Sequence, residues 1–158
     1  MDRRQAIKTA LLSGAVLLLD QGSALAREYY PDKVNETLFQ DINRAKTPGK
    51  EKGLEMLHSP VIKAPDRVKA GKVFPVEVDI GRSPHPMGPS HWIEYLQFNI
   101  GNEPAGNVIF RSQGYVKAAA RFYALLGEEM KGKTVSLVVQ IKCNLHGVWE
   151  NYANVNVA

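Results

Sequence analysis

The chain has 158 residues but only one cysteine, Cys143, and four histidines, His58, His85, His91 and His146. A single cysteine excludes an internal disulfide framework, and it equally excludes a four-thiolate metal centre. No apolar run reaches the roughly 20 residues that span a bilayer. The nearest candidate, Ala10 to Leu19, is interrupted by Ser13 and Gly14. No stretch clusters lysine and arginine with interleaved aromatics, so no nucleic-acid surface is expected. The net charge is +4, and residues 1–26 carry Arg3, Arg4 and Lys8 against Asp2 and Asp20, so removing them leaves +3. That charge reads as an ordinary solvated surface. Internal repeats and low-complexity tracts are also missing. The length suits one domain whose core needs no disulfide staples.

Residues 1–26 read as a targeting segment. Asp2-Arg3-Arg4-Gln5-Ala6-Ile7-Lys8 resembles a twin-arginine signal, and Ala24-Leu25-Ala26 offers a small-residue cleavage site before Arg27. The expectation is export to the periplasm, with no membrane span in the mature chain. The resemblance implies transport of an already folded protein, so a metal could be loaded beforehand. An exported chain with an odd cysteine needs a reason for the unpaired thiol. Metal ligation is one, because it protects the thiolate.

Residues 27–50 form an N-terminal extension. Val34, Leu38 and Ile42 recur at helical spacing behind Asp32, a candidate N-cap, and Thr47-Pro48-Gly49 ends the pattern. A short amphipathic helix is expected there, as a packing or subunit-contact piece that leaves a homo-oligomer open. Beyond residue 51 the period changes to two. Val61-Ile62-Lys63, between Pro60 and Pro65, reads as a short edge strand. Val73–Ile80 alternates cleanly, and Trp92–Ile100 puts Glu94, Leu96, Phe98 and Ile100 on one face. Asn107–Arg111, Val116–Leu126, Thr134–Lys142 and Val148–Val157 complete the set. The fold expected is all-β, an antiparallel β-sandwich of about seven strands behind the helical extension.

The strand at 134–142 carries the chemistry. Val135, Leu137, Val139 and Ile141 alternate with Thr134, Ser136, Val138 and Gln140, and Cys143 keeps the inward parity. His146 follows on a turn that Asn144 and Gly147 favour. A thiolate and an imidazole at that spacing can share a metal ion, although the pair alone reads equally well as a buried cysteine beside an incidental histidine. The other histidines shift that balance. His85 and His91 bound His-Pro-Met-Gly-Pro-Ser-His, where Pro84, Pro86 and Pro89 restrict the unfolded loop. His58 lies in Leu-His-Ser-Pro-Val-Ile, again before an extended run. Four imidazoles and a thiolate exceed the four ligands of a closed structural zinc site. On an octahedral ion they leave one position open. A blue-copper site would want a weak axial methionine after its last histidine, and none follows Met130.

His58-x-Pro60, then His85-Pro86-Met87-x3-His91-Trp92-Ile93-Glu94, then Cys143-Asn144-x-His146-Gly147-x-Trp149 resemble the three iron-site motifs of the superoxide reductases, the desulfoferrodoxin/neelaredoxin family. The resemblance covers residues 50–158 and takes in every histidine and the cysteine. It implies an immunoglobulin-like sandwich over 51–158. It also implies one iron, Fe2+/Fe3+, with His58, His85, His91 and His146 in a plane and Cys143 axial. The implied reaction is one-electron reduction of superoxide to hydrogen peroxide. One cysteine leaves no second centre, so the one-iron class is implied, with an external electron donor such as a rubredoxin-like or periplasmic redox protein. Asn144 and Gly147 are read as offering backbone N–H groups to the sulfur, Glu94 as a solvated strand residue, and Trp92 and Trp149 as core aromatics.

One departure stands out. Where the family places Glu-Lys before the first histidine, this chain has Met56-Leu57, with Glu55 one position early and the nearest lysines at Lys52 and Lys63. The family lysine attracts the anion. Its loss keeps a second class in view: an exported non-enzymatic metal-binding module serving as an iron sensor, an electron-transfer protein or a partner-binding β-sandwich.

Overall fold

The computed structural model describes residues 36–112 and 114–158. The expected signal at 1–26 and the start of the expected amphipathic helix lie outside the described residues. What is described of that helix is one 3-10 turn, Glu36–Phe39. The backbone then reaches Asn43, whose N–H donates to the Val148 carbonyl and whose carbonyl accepts from the Glu150 N–H.

The remainder is a two-sheet sandwich. Strands β1 (Pro60–Lys63), β3 (Val73–Ile80) and β6 (Ala119–Leu125) form a three-stranded sheet in the order β1-β3-β6. The five-stranded sheet takes β2 (Arg67–Val68), β4 (Ile93–Ile100), β5 (Glu103–Ile109), β7 (Thr134–Cys143) and β8 (Gly147–Val157) in the order β2-β8-β7-β4-β5. All pairings are antiparallel except β2 with β8. The alternation read from the sequence is what fills the space between the sheets. Phe74, Val76, Val78 and Ile80 are buried on one side, and Leu96, Phe98, Leu137, Val139 and Ile141 on the other. Phe98 stacks on Phe122 with ring centroids 4.8 Å apart.

The all-β expectation holds, with four local differences. β2 was not expected, since two residues show no period. The expected strand at Asn107–Arg111 begins earlier, at Glu103. Pro104 is tolerated there because β5 is an edge strand with one paired side. A five-residue helix, α1 (Leu54–His58), occupies a stretch for which the sequence predicts no element; barely more than one turn, it is too short to show periodicity. Finally, the β4–β7 register shifts between Ile93 and Tyr95. This bulge makes Glu94 the extra residue, so Ile93 rather than Glu94 joins Leu96 and Phe98 in the core.

These pairings bring the motif-bearing segments to one end of the sandwich. Pro60, after α1, pairs with Ile80, just ahead of the His85 loop. Ile93, just after His91, pairs with Cys143, which in turn pairs with Gly147.

Candidate metal centre

All five donors of the sequence expectation converge at that end. The ligand atoms of His58, His85, His91 and Cys143 lie within 4.8 Å of one another. His146 Nδ1 is 3.0 Å from His58 Nε2 and 3.5 Å from Cys143 Sγ. The imidazoles form a closed ring in the order His58, His85, His91, His146, with neighbouring centroids 4.6, 4.5, 4.9 and 4.7 Å apart. Each neighbouring pair meets edge to face, and the His58–His91 diagonal is 6.0 Å. The outline is close to a square.

The hydrogen bonds decide which nitrogens face inward. A carbonyl oxygen only accepts, so His58 Nδ1 donates to the Leu54 carbonyl at 2.7 Å and His85 Nδ1 to the Pro86 carbonyl at 2.6 Å. Both Nε2 atoms therefore carry lone pairs, and they stand 3.0 Å apart. Two facing lone pairs repel unless a proton or a cation lies between them. A proton is disfavoured, because burial pushes the His58 pKa down to about 3 and that of His85 down to about 4. Burial also lowers the pKa values of His91 and His146. His91 Nε2 is buried without a hydrogen-bond partner. Neutral imidazoles with inward lone pairs and an orphaned nitrogen fit a metal ion, and nitrogen with one sulfur suits a borderline transition metal.

Cys143 behaves oppositely. It is fully buried, and burial pushes its thiol up to about 11, with the Glu94 charge acting the same way. The backbone N–H groups of Leu145 and His146 favour the thiolate. These donors replace the expected Asn144 and Gly147. Asn144 N–H is spent on the Trp92 carbonyl at 3.1 Å, and Gly147 pairs with Cys143 across the hairpin.

Neighbouring groups fix the rings. Asn144 accepts from the Trp92 N–H at 2.9 Å and donates to the Ser90 carbonyl at 2.9 Å, so it clips the two residues that flank His91. Trp149 stacks on His58 at 5.2 Å and donates to the His146 carbonyl at 2.8 Å. The expected core aromatic thus also links two donors. Glu94 pairs with Lys142 at 2.7 Å. Around the departed Glu-Lys position, Lys63 is paired with Asp79, Glu55 accepts from the Lys46 N–H, and Lys52 is exposed.

Sequence reasoning missed Glu51, Gly81 and Arg82. Glu51 is buried against Arg82 at 2.6 Å. Gly81, at φ +75°, lies so close to α1 that a Cβ there would run into the Leu57 carbonyl oxygen. A glycine between a strand and a proline-rich loop signals a turn, whereas nothing in the sequence links positions 51 and 82.

A family model described as desulfoferrodoxin matches residues 46–152. The superoxide reductase of Pyrococcus abyssi is 37% identical over 101 residues, covering 60% of this chain and 83% of that protein. Among solved structures, the superoxide reductase (neelaredoxin) of Ignicoccus hospitalis is similar with a TM-score of 0.60 at 29% identity, covering 80% of this chain and all of that one. The superoxide reductase (neelaredoxin) of Archaeoglobus fulgidus, at 24% identity and a TM-score of 0.54, shares the fold over 73% of this chain and 98% of its own.

Proposed function

The chain belongs to the desulfoferrodoxin family, and from that premise we propose that it is a superoxide reductase with one iron at the His58, His85, His91, His146 and Cys143 cluster. One observation carries this reading: four imidazoles in a near-square, two of them held neutral by burial with Nε2 lone pairs turned inward, beside a buried thiol 3.5 Å from one of the four. Iron bound there would supply the one-electron change between Fe2+ and Fe3+ and a place for the anion to bind. The net reaction takes superoxide, one electron and two protons to hydrogen peroxide.

The chain's own groups do the arranging. The Leu54 and Pro86 carbonyls hold His58 and His85 in the tautomer that turns Nε2 inward. The Leu145 and His146 amides stabilise negative charge on Cys143 sulfur, which tunes how strongly it donates. The electron comes from an external donor, a rubredoxin-like or periplasmic redox protein, since one cysteine cannot furnish a second thiolate centre. Anaerobic iron loading, a spectrum of the oxidised protein and pulse radiolysis test the proposal. The expected results are a thiolate-to-iron(III) band and loss of superoxide without dioxygen release. Bound zinc with no such band, or bound iron without reaction, would favour the non-enzymatic module that Met56-Leu57 suggests.

We also propose export to the periplasm by the twin-arginine route, with cleavage after Ala26. Arg3-Arg4, the apolar run and Ala24-Leu25-Ala26 support it. Replacing Arg3 and Arg4 by lysine should leave the protein in the cytoplasm, and a mature N-terminus still at Met1 would count against the reading.

A further inference from the structure

We propose that Glu51 and Arg82 are positioning residues of the iron site: an ionic clasp that holds α1 against the loop after β3 and so sets the His58–His85 separation. This rests on the metal reading above.

His58 ends α1, and His85 lies in the loop that leaves β3 at Ile80. Their inward nitrogens are 3.0 Å apart, yet the outer hydrogen bond of each ring stays within its own segment, at Leu54 and Pro86. The ring spacing therefore depends on the seam between the two segments. Two backbone bonds cross it, Gly81 N–H to the Ser59 carbonyl and Ser83 N–H to the Met56 carbonyl, both at 3.2 Å. Between those two amides sits Arg82, whose Nε donates to Glu51 Oε2 at 2.6 Å. Glu51 Oε1 accepts from the Gly49 N–H at 2.8 Å, so the carboxylate is held from both sides.

Glu51 is the one carboxylate buried among the described residues, at 8% exposure. Burying the Glu51 carboxylate is costly, and its pairing with Arg82, whose side chain is 51% exposed, adds little net stability. What such a pair does supply is short, directed, charge-assisted geometry. Here that geometry bridges 31 positions of sequence, at the point where two donor-bearing segments must keep register. The arginine pairing holds the Glu51 carboxyl down at about 2, so the clasp stays ionised across the working pH range.

The test uses Glu51→Gln, Arg82→Gln and Arg82→Lys in the full chain, with Glu77→Gln as a control that breaks only the exposed Glu77–Arg121 pair. Three quantities are read: exchange of the Gly81 and Ser83 amides in metal-free protein, the rate of iron loss to a chelator, and the energy of the iron(III)–thiolate band. The two glutamine variants should exchange those amides and lose iron about tenfold faster, in the range seen when groups supporting metal ligands are removed. Arg82→Lys should recover most of the loss, and Glu77→Gln should match wild type. Wild-type rates in both glutamine variants overturn the clasp alone. So does faster exchange spread equally over β7 and β8, which marks a merely structural role. Wild-type protein that takes up no iron overturns the metal reading and the clasp with it.

Discussion

The metal cluster rests on two supports of different construction. Cys143 and His146 ride on the β7–β8 hairpin, where ten consecutive register pairs run from Thr134↔Asn156 to Cys143↔Gly147. His58 and His85 ride on a five-residue helix and an irregular loop, joined beyond the end of the four-pair β1–β3 ladder by two backbone bonds and an ion pair. The hairpin fixes its donors by repetition, so no single contact decides their place. The helix-and-loop support fixes its donors by a few specific contacts, so each one counts. The protonation states differ in the same way. The helix-and-loop imidazoles are held neutral and ready to bind, whereas the hairpin thiol, raised to about 11, must first lose a proton.

The largest effect expected from breaking this contrast is on the hairpin side. Cys143→Ser should abolish the thiolate-to-iron(III) band while iron held by the imidazoles partly remains. Retention of the wild-type band would sink the ligand assignment. The contrast in protonation gives a second outcome. Because only the thiol has to release a proton above pH 7, iron affinity should rise about tenfold per pH unit there, with one proton released per iron. A slope of zero would mean that the cysteine is not a ligand.

Acid should act on the other support. The folded-state pKa values of His58 and His85, about 3 and 4, lie below the ordinary 6.5. The unfolded chain therefore binds more protons between those limits, and stability falls as pH falls through them. Each unit of depression corresponds to about 1.4 kcal/mol. Metal-free protein should thus lose stability from about pH 6.5 downward in a chemical denaturation series, and a histidine-to-glutamine change at position 58 should flatten that loss.

A smaller effect is expected at Gly81. Left-handed backbone costs a residue with a side chain about 1–2 kcal/mol, and Gly81→Ala adds a Cβ directed at the Leu57 carbonyl. A loss of about 3 kcal/mol in unfolding free energy is expected, with faster iron release. Alanine at Gly132, also at positive φ but with open space around it, should cost only the backbone part. Equal losses at the two positions would mean that the close approach to α1 does not matter.

The same contrast explains what was legible in the sequence. The hairpin could be read because period-two alternation is a local signal, and Cys143 inherits its inward direction from Val135 to Ile141. The Pro-rich loop was legible as a loop that holds two imidazoles, through Pro84, Pro86 and Pro89. α1 was not legible, being too short to repeat, and the Glu51–Arg82 contact was not, because its partners are 31 residues apart and both types are common on surfaces. The Glu94 bulge escaped for another reason: a bulge breaks alternation without any composition of its own. The five donors were found because their residue types are scarce here. The groups that orient them are abundant types, placed only by tertiary structure.

The smallest expected effect concerns Leu57, on the helix-and-loop side. A positive charge near the site raises the encounter rate with an anion, and salt screens the gain. Leu57 brings none, and Lys63 is engaged with Asp79. Leu57 is half-buried on α1 directly before His58. A lysine there can lay its methylenes along the same apolar surface and carry its ammonium into water, so Leu57→Lys should fold normally. The expected result is a bimolecular rate with superoxide about threefold higher at low salt, with a steeper ionic-strength dependence. Lys52→Ala should change little, its side chain being exposed and six positions before His58. Pulse radiolysis over a salt series on the three proteins measures both quantities. If Lys52→Ala instead slows the reaction and flattens its salt slope, Lys52 is the steering charge, and Leu57 marks a relocation of that charge rather than its loss.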